Sequence, residues 1–168
     1  MNRVERERLF LELLEENKVR IQRLCYGYLN SPSEVEDLFQ EIMTNVWNSL
    51  PGFRGEAKAS TWLYRIAVNT ALLYRKRWKR GEVLTDVPDD RRGAHQNLEE
   101  KERLVSLRRA IATLPDQDRL IVTLLLEGLS YREIADITGI TINYVGVRIS
   151  RIKATLEQLM KEVAYGAV

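Results

Sequence analysis

The chain has 168 residues, of which 45% are hydrophobic and 30% charged, a balance that excludes a disordered segment and fits one domain or two small ones. Its 26 basic and 24 acidic residues leave a formal charge of +2, and no apolar run approaches the ~18–20 residues that cross a bilayer, so no membrane insertion is expected. The N-terminal Met1-Asn2-Arg3-Val4-Glu5-Arg6 lacks the apolar stretch of a signal peptide, and a lone cysteine, Cys25, excludes an internal disulfide; a reducing, cytoplasmic setting is expected.

Four prolines, Pro32, Pro51, Pro88 and Pro115, punctuate the sequence. The periodicity between them is helical, without sustained alternation, which predicts an all-α fold. A first helix is predicted from about Val4 to Asn17 and a second from Lys18 to Leu29, the latter with Ile21, Leu24, Cys25 and Tyr28 on one face. Cys25, among Leu24, Tyr26 and Tyr28, reads as a small core residue. Asn30-Ser31-Pro32 is a break. Ser33 and Glu36 then have the spacing of a capping box for a third helix. Its inward stripe is Val35, Leu38, Ile42, Val46 and Leu50, leaving Glu34, Asp37, Gln40, Glu41 and Thr44 outside. As a bare pattern Asp37 and Glu41 form a solvated face, because no histidine or third acid converges with them to hold a metal.

From Phe53 to Arg80 the composition changes. Eight basic residues stand against the single acid Glu56, a local +7, while the remaining eighteen bases and twenty-three acids give −5. Phe53, Trp62, Tyr64, Tyr74 and Trp78 are threaded through those charges. Basic groups neutralise phosphates and aromatic faces accept unstacked bases, so the combination points to opened or single-stranded nucleic acid. Pro51-Gly52 ends the third helix, and Ser60 or Thr61 is placed to cap the next, predicted to run to about Lys79. Leu63, Ile66, Ala67, Thr70 and Tyr74 share its buried stripe, and Trp62, Arg65, Asn69 and Lys76 a largely polar one.

Residues 81–97 read as a linker: Gly81 to Gln96 is polar, holds Pro88, the acids Asp86, Asp89 and Asp90 and the only histidine, His95, and lacks helical periodicity. A second helical set follows over 98–168. Leu98 to Ala112 is predicted helical with Leu104, Leu107 and Ile111 at core spacing, and Asp118 to Glu127 as a buried helix closed by Gly128. Ser130 and Glu133 form another capping box, Ala135 allows a close helix crossing, and Gly139 supplies a tight turn. Ile140, Val145 and Ile149 then pin a further helix that starts near Thr141 and carries Arg148, Arg151 and Lys153. This is a helix-turn-helix pattern, whose second helix presents residues to the major groove.

Phe53-Arg54-Gly55-Glu56 followed by Thr61-Trp62-Leu63-Tyr64-Arg65-Ile66-Ala67-Val68-Asn69 resembles the promoter-melting segment of the extracytoplasmic-function (ECF) sigma factors, the smallest branch of the sigma-70 family. The resemblance extends over about Leu9 to Met160. It implies two helical domains, 1–80 and 98–168, joined by the linker 81–97. Asp37-Leu38-Phe39-Gln40-Glu41 is similar to the helix that docks on the clamp of core RNA polymerase, implying contacts from Asp37, Leu38, Gln40 and Glu41 and an acidic face that suits a basic partner. Phe53, Arg54, Trp62, Arg65, Asn69 and Lys76 would meet the opened −10 strand. Tyr131, Thr141, Asn143, Tyr144, Arg148 and Arg151 would meet duplex at the −35 element. The pattern departs from the family at Tyr144, where a small residue is usual, and at Gly146 and Val147, where a basic residue and a serine are usual; both latter changes remove contacts to DNA. The resemblance further implies an anti-sigma factor as partner, no bond chemistry, and neither cofactor nor metal. Two other readings remain open: a stand-alone helix-turn-helix regulator that binds duplex without polymerase, and an interaction module that titrates an anti-sigma factor.

Overall fold

Helix α1 (Arg3–Tyr28) opens the computed structural model, which describes residues 2–78 and 98–165; the linker expected at 81–97 and its His95 lie outside them. A single helix stands where two were predicted. Asn17, the expected break, is buried and donates its side-chain amide to the Leu13 carbonyl at 3.0 Å, so its polarity is satisfied along the helix. Asn2 caps the start: its side chain accepts from the Glu5 amide and Glu5 answers to the Asn2 amide, both at 2.9 Å.

Helix α2 (Pro32–Ser49) begins before the predicted cap. Pro32 occupies its first turn, where a missing N–H costs nothing, and Ser33 is already helical, its hydroxyl 2.9 Å from that of Ser31 rather than engaged in the expected capping box. A short 3-10 turn at Leu50–Gly52 leads into the loop before α3 (Ala59–Trp78), which starts ahead of both predicted caps, Ser60 and Thr61. The three helices pack on one another through Ile21, Leu24, Leu38, Ile42, Leu63 and Ala67, all essentially inaccessible. Each such aliphatic side chain contributes roughly 1.5–3 kcal/mol on leaving water.

Four helices make up the second set: α4 (Leu98–Thr113), α5 (Asp116–Leu126), α6 (Tyr131–Thr138) and α7 (Ile142–Tyr165). The all-α expectation holds, and the described residues contain no strand. Leu104 corrects the predicted core of α4: it is exposed, while Ile111 and Ala110 are buried. Gly128 and Gly139 take φ of +81° and +76° where α5 and α6 end, a left-handed backbone that glycine adopts without a Cβ clash.

The buried side chains of both helical sets join in one cluster, because α5 packs against α1 and α6 against α3. No helix among the described residues is long and apolar enough to cross a membrane.

Candidate nucleic-acid interface

The cationic, ring-bearing segment is sorted sharply by folding. Tyr64 is sealed in the core, which removes its ring from the strand-gripping surface, and Tyr74 is buried as its place on the apolar stripe predicts. Arg77 is taken up by Glu41, its Nη2 at 2.5 and 2.7 Å from the two carboxylate oxygens, and Arg75 lies 2.9 Å from Asp116. What remains is a smaller edge. Phe53 and Trp62 are half-buried with ring centroids 4.9 Å apart and planes tilted by 48°. Arg54, Lys58, Arg65, Asn69 and Lys76 are exposed. Packing Phe53 on Trp62 fixes the loop between α2 and α3 and leaves ring surface facing outwards, beside cations that suit phosphates. Arg65 spends its Nε–H on the Asp136 carbonyl of α6, at 2.7 Å.

On α2, Asp37 and Gln40 face solvent and Glu41 is half-buried beneath Arg77. Leu38 is fully buried. Its expected place on the docking face is thereby corrected: it holds α2 onto the bundle and aims the acids outwards, without itself reaching a partner.

The helix-turn-helix is built as its spacing predicts. Ser130 Oγ accepts from the Glu133 amide at 3.2 Å, and Glu133 returns a bond to the Ser130 amide at 2.8 Å. These bonds to Ser130 hold the Glu133 carboxyl below its ordinary 4.5. Ile134, Ala135, Val145 and Ile149 are buried between α6 and α7. Tyr131, Thr141, Asn143, Tyr144 and Arg151 are all exposed, the middle three on the leading end of α7. Thr141 caps that end, its hydroxyl accepting from the Tyr144 amide at 3.2 Å. Arg148 differs from the rest: its Nε and Nη2 donate to Asp118 at 2.8 and 2.5 Å and its Nη1 to Gln117 at 3.2 Å. It is engaged with α5 and stands beside the others without being free to reach as they are.

Similarity to known proteins follows the same division. Residues 13–81 match the model of "Sigma-70 region 2" and residues 104–156 that of "Sigma-70, region 4". The ECF RNA polymerase sigma-E factor of Escherichia coli (strain K12) is 34% identical over 152 residues, covering 82% of this chain and 79% of that one. The chain belongs to the ECF sigma factors of the sigma-70 family. Its likeness to RNA polymerase sigma factor SigZ of Bacillus subtilis (strain 168) is 31% over 134 residues, 79% of this chain and 76% of the other. Two solved structures share the fold at low identity. CnrH, in complex with the cytosolic domain of CnrY, has a TM-score of 0.69 at 22% identity, covering 92% of this chain and 89% of its own. The sigma factor RpoE of Bartonella quintana, in complex with the anti-sigma factor NepR, has 0.68 at 21%, covering 92% and 96%.

Sequence reasoning passed over the most unusual group in this sigma factor. Arg119 of α5 was read only as part of a buried helix, yet its guanidinium is inaccessible, donating to the carbonyls of Tyr28 in α1, at 3.1 Å, and of Ala112. Burial, and after it the nearby charge of Arg75, lowers its pKa from the ordinary arginine value to about 10, so it remains a cation at neutral pH. The guanidinium carbons of Arg75 and Arg119 stand 5.8 and 5.9 Å from the Tyr28 ring centroid. The signal available beforehand was an arginine directly ahead of Leu120-Ile121-Val122, at the start of a helix face that is otherwise apolar. Cys25, by contrast, is the inert core residue expected, its thiol pushed up to about 12 by burial.

Proposed function

We propose that this sigma factor binds core RNA polymerase through the outer face of α2, reads the −35 element with the leading end of α7, and helps open the −10 region with the Phe53–Trp62 edge of α3. The observation that carries the reading is that edge: two touching, half-buried rings, with Arg54, Arg65 and Asn69 exposed in the same segment and Lys76 exposed further along α3. Such a surface suits an unstacked base and its phosphates better than a closed duplex. The acids Asp37 and Glu41 suit a basic docking surface, where complementary charge speeds and orients encounter. Two modest DNA contacts on one chain gain through effective concentration once polymerase sets their spacing, which is how a net charge of +2 suffices. The domains run over 1–80 and 98–168, with 81–97 as the linker between them. An anti-sigma factor covering the same faces is the partner by which the protein is held inactive, in keeping with the anti-sigma complex of its Bartonella relative.

The test is transcription from a candidate promoter by core polymerase with and without the protein, with permanganate footprinting of opened thymines. Opening that depends on the protein and is lost in Asn69→Ala supports the reading. Tight duplex binding by the free protein, with no association with core, replaces it with a stand-alone regulator. Capture of an anti-sigma factor with neither DNA nor core binding replaces it with a titrating module.

A further inference from the structure

The leading end of α7 is short of charge and rich in exposed apolar side chains. Residues 141–147 carry no charged group, and the cation that follows them, Arg148, is committed to Asp118 and Gln117. Val147 and Tyr144 are nevertheless 45% and 44% exposed. Helical spacing puts Val147 at the middle of the outward face. Asn143 and Arg151, four residues to either side and so about 6 Å away along the axis, share its stripe. Both are exposed, as is Ser150 beside them, while Val145, Ile149 and Ile152 hold the opposite face in the core. A lone exposed valine on an idle surface needs no explanation. This one is centred on the face of a helix-turn-helix that is aimed at a major groove. It is of no use for holding phosphates, which take cations and hydrogen-bond donors. What it can meet there is the edge of a base.

We propose that Val147 is a specificity-determining residue for the upstream element: its methyl groups pack on the C5-methyl of a thymine in the major groove. Thymine alone shows an apolar group on that edge, where the other three bases present donors and acceptors. Valine can answer none of these. A cytosine amino group pressed against it loses its water without a replacement, and that cost selects against cytosine at the position thymine fills. Asn143 and Arg151, one turn before and one turn after, supply the hydrogen bonds that fix α7 on either side of the apolar contact. The inference rests on the sigma-factor reading for the placing of α7 in the groove, and adds to it the kind of base pair that the centre of the helix selects.

The test is a methyl deletion made on the DNA. The complex of the protein with core polymerase selects duplexes from a pool randomised across the −35 window. Each thymine of the enriched element is then replaced singly by deoxyuridine, which lacks only the C5-methyl. One such replacement is expected to weaken binding roughly fourfold, the effect of taking about one methyl out of an apolar contact. In Val147→Ala the same replacement should cost less than about twofold, so the two deletions are coupled. The variant is expected to fold, since the side chain is exposed and alanine favours a helix. At the sensitive position cytosine should bind worse than thymine, and 5-methylcytosine should recover part of the loss. An enriched element without thymine, thymines that all tolerate deoxyuridine, or a penalty that Val147→Ala leaves intact each overturns the proposal and leaves the sigma-factor reading standing. Failure of that reading looks different: the protein forms no complex with core, or the complex enriches no upstream element, and the proposal falls with it.

Discussion

Helix α3 is packed by α1, α2, α5 and α6, so most of its circumference is spent on structure; α7 is packed by α4, α5 and α6, but its leading residues Ile142, Asn143 and Tyr144 are exposed. Both helices carry residues assigned to DNA, and the difference in packing changes what those residues can do. Along α3 two tyrosines are in the core and two arginines are in ion pairs, leaving Trp62, Arg65, Asn69 and Lys76 with the loop residues Phe53 and Arg54. On α7 only Arg148 is taken up, by Asp118 and Gln117, while Asn143, Tyr144 and Arg151, with Thr141 just ahead of them, are open to solvent. A helix in the middle of a bundle binds through a few survivors at its rim, each carrying a large share of the effect. A helix at a corner spreads its contact over more residues, each with a smaller share.

Trp62→Ala breaks the comparison most severely. It removes the stacking surface and the partner of Phe53, and base–aromatic stacking is worth ~1–3 kcal/mol per base. Opening, read by permanganate footprinting with core present, should fall by roughly ten- to a hundredfold, with core affinity unchanged. An opening rate within twofold of wild type would remove α3 as the strand-gripping helix.

Asn143→Ala and Arg151→Ala, each alone, should weaken binding to duplex carrying the upstream element by less than Trp62→Ala weakens opening. A base-edge contact contributes ~1–3 kcal/mol, and a phosphate contact only reduces affinity and salt slope across all sequences. Competition between matched and mismatched duplex separates the two, since only a base contact changes the ratio. Arg148→Ala provides the contrast. With its guanidinium committed to Asp118 and Gln117, its removal should lower the melting temperature as well as DNA affinity, because Asp118 loses its partner.

The long periodic segments were legible in the sequence because helical stripes report burial directly: Val35, Leu38, Ile42, Val46 and Leu50 are all buried as read. The turn at Gly139 and the capping box at Ser130 were legible for the same local reason. Asn17 misled because a polar side chain satisfied within a helix looks, in one dimension, like the end of one, and Ser33 because Pro32 already opens the helix and Ser31 stands at its cap position. The surface on α3 was over-read for a different cause. Net charge counts arginines without saying which acid lies opposite, and Glu41, Asp116 and the Asp136 carbonyl come from other helices, up to 71 residues away. Arg119 was missed because its meaning depends on α1, far off in the chain and adjacent only after folding.

Ser130→Ala probes the frame behind α7. Losing this N-cap should cost ~1 kcal/mol. The sign with pH follows from Glu133, whose carboxyl is held below 4.5 by its bonds to Ser130. A depressed carboxylate adds stability that is present above its unfolded value and lost as pH falls through the folded one. The gap in melting temperature between wild type and Ser130→Ala should therefore be widest at neutral pH and narrow below 4.5. A gap that stays constant into acid would separate Glu133 from the cap.

Gly146→Ala is the gentlest probe of the exposed end of α7. Glycine inside a helix costs roughly 0.5–1 kcal/mol relative to alanine, so the change should raise stability unless the added methyl has nowhere to go. It has room: its nearest neighbours would be ring carbons of Tyr131, at 3.7 and 3.9 Å, an ordinary contact across α6 and α7. Because that methyl lies towards α6, the variant leaves Asn143, Tyr144 and Arg151 where they were. The expected result is a rise of about 1–4 °C in melting temperature with unchanged duplex affinity. The same direction bears on the departure from the family at this position. A side chain at 146 starts out along Tyr131 and reaches DNA only by extending past it, whereas Val147 is exposed outright. If Gly146→Ala lowers stability, α6 and α7 are closer than the 3.7 Å contact indicates and the glycine is there to admit Tyr131; a rise assigns the glycine no structural duty, and a loss of duplex affinity alone would make it a site of close approach by the DNA backbone.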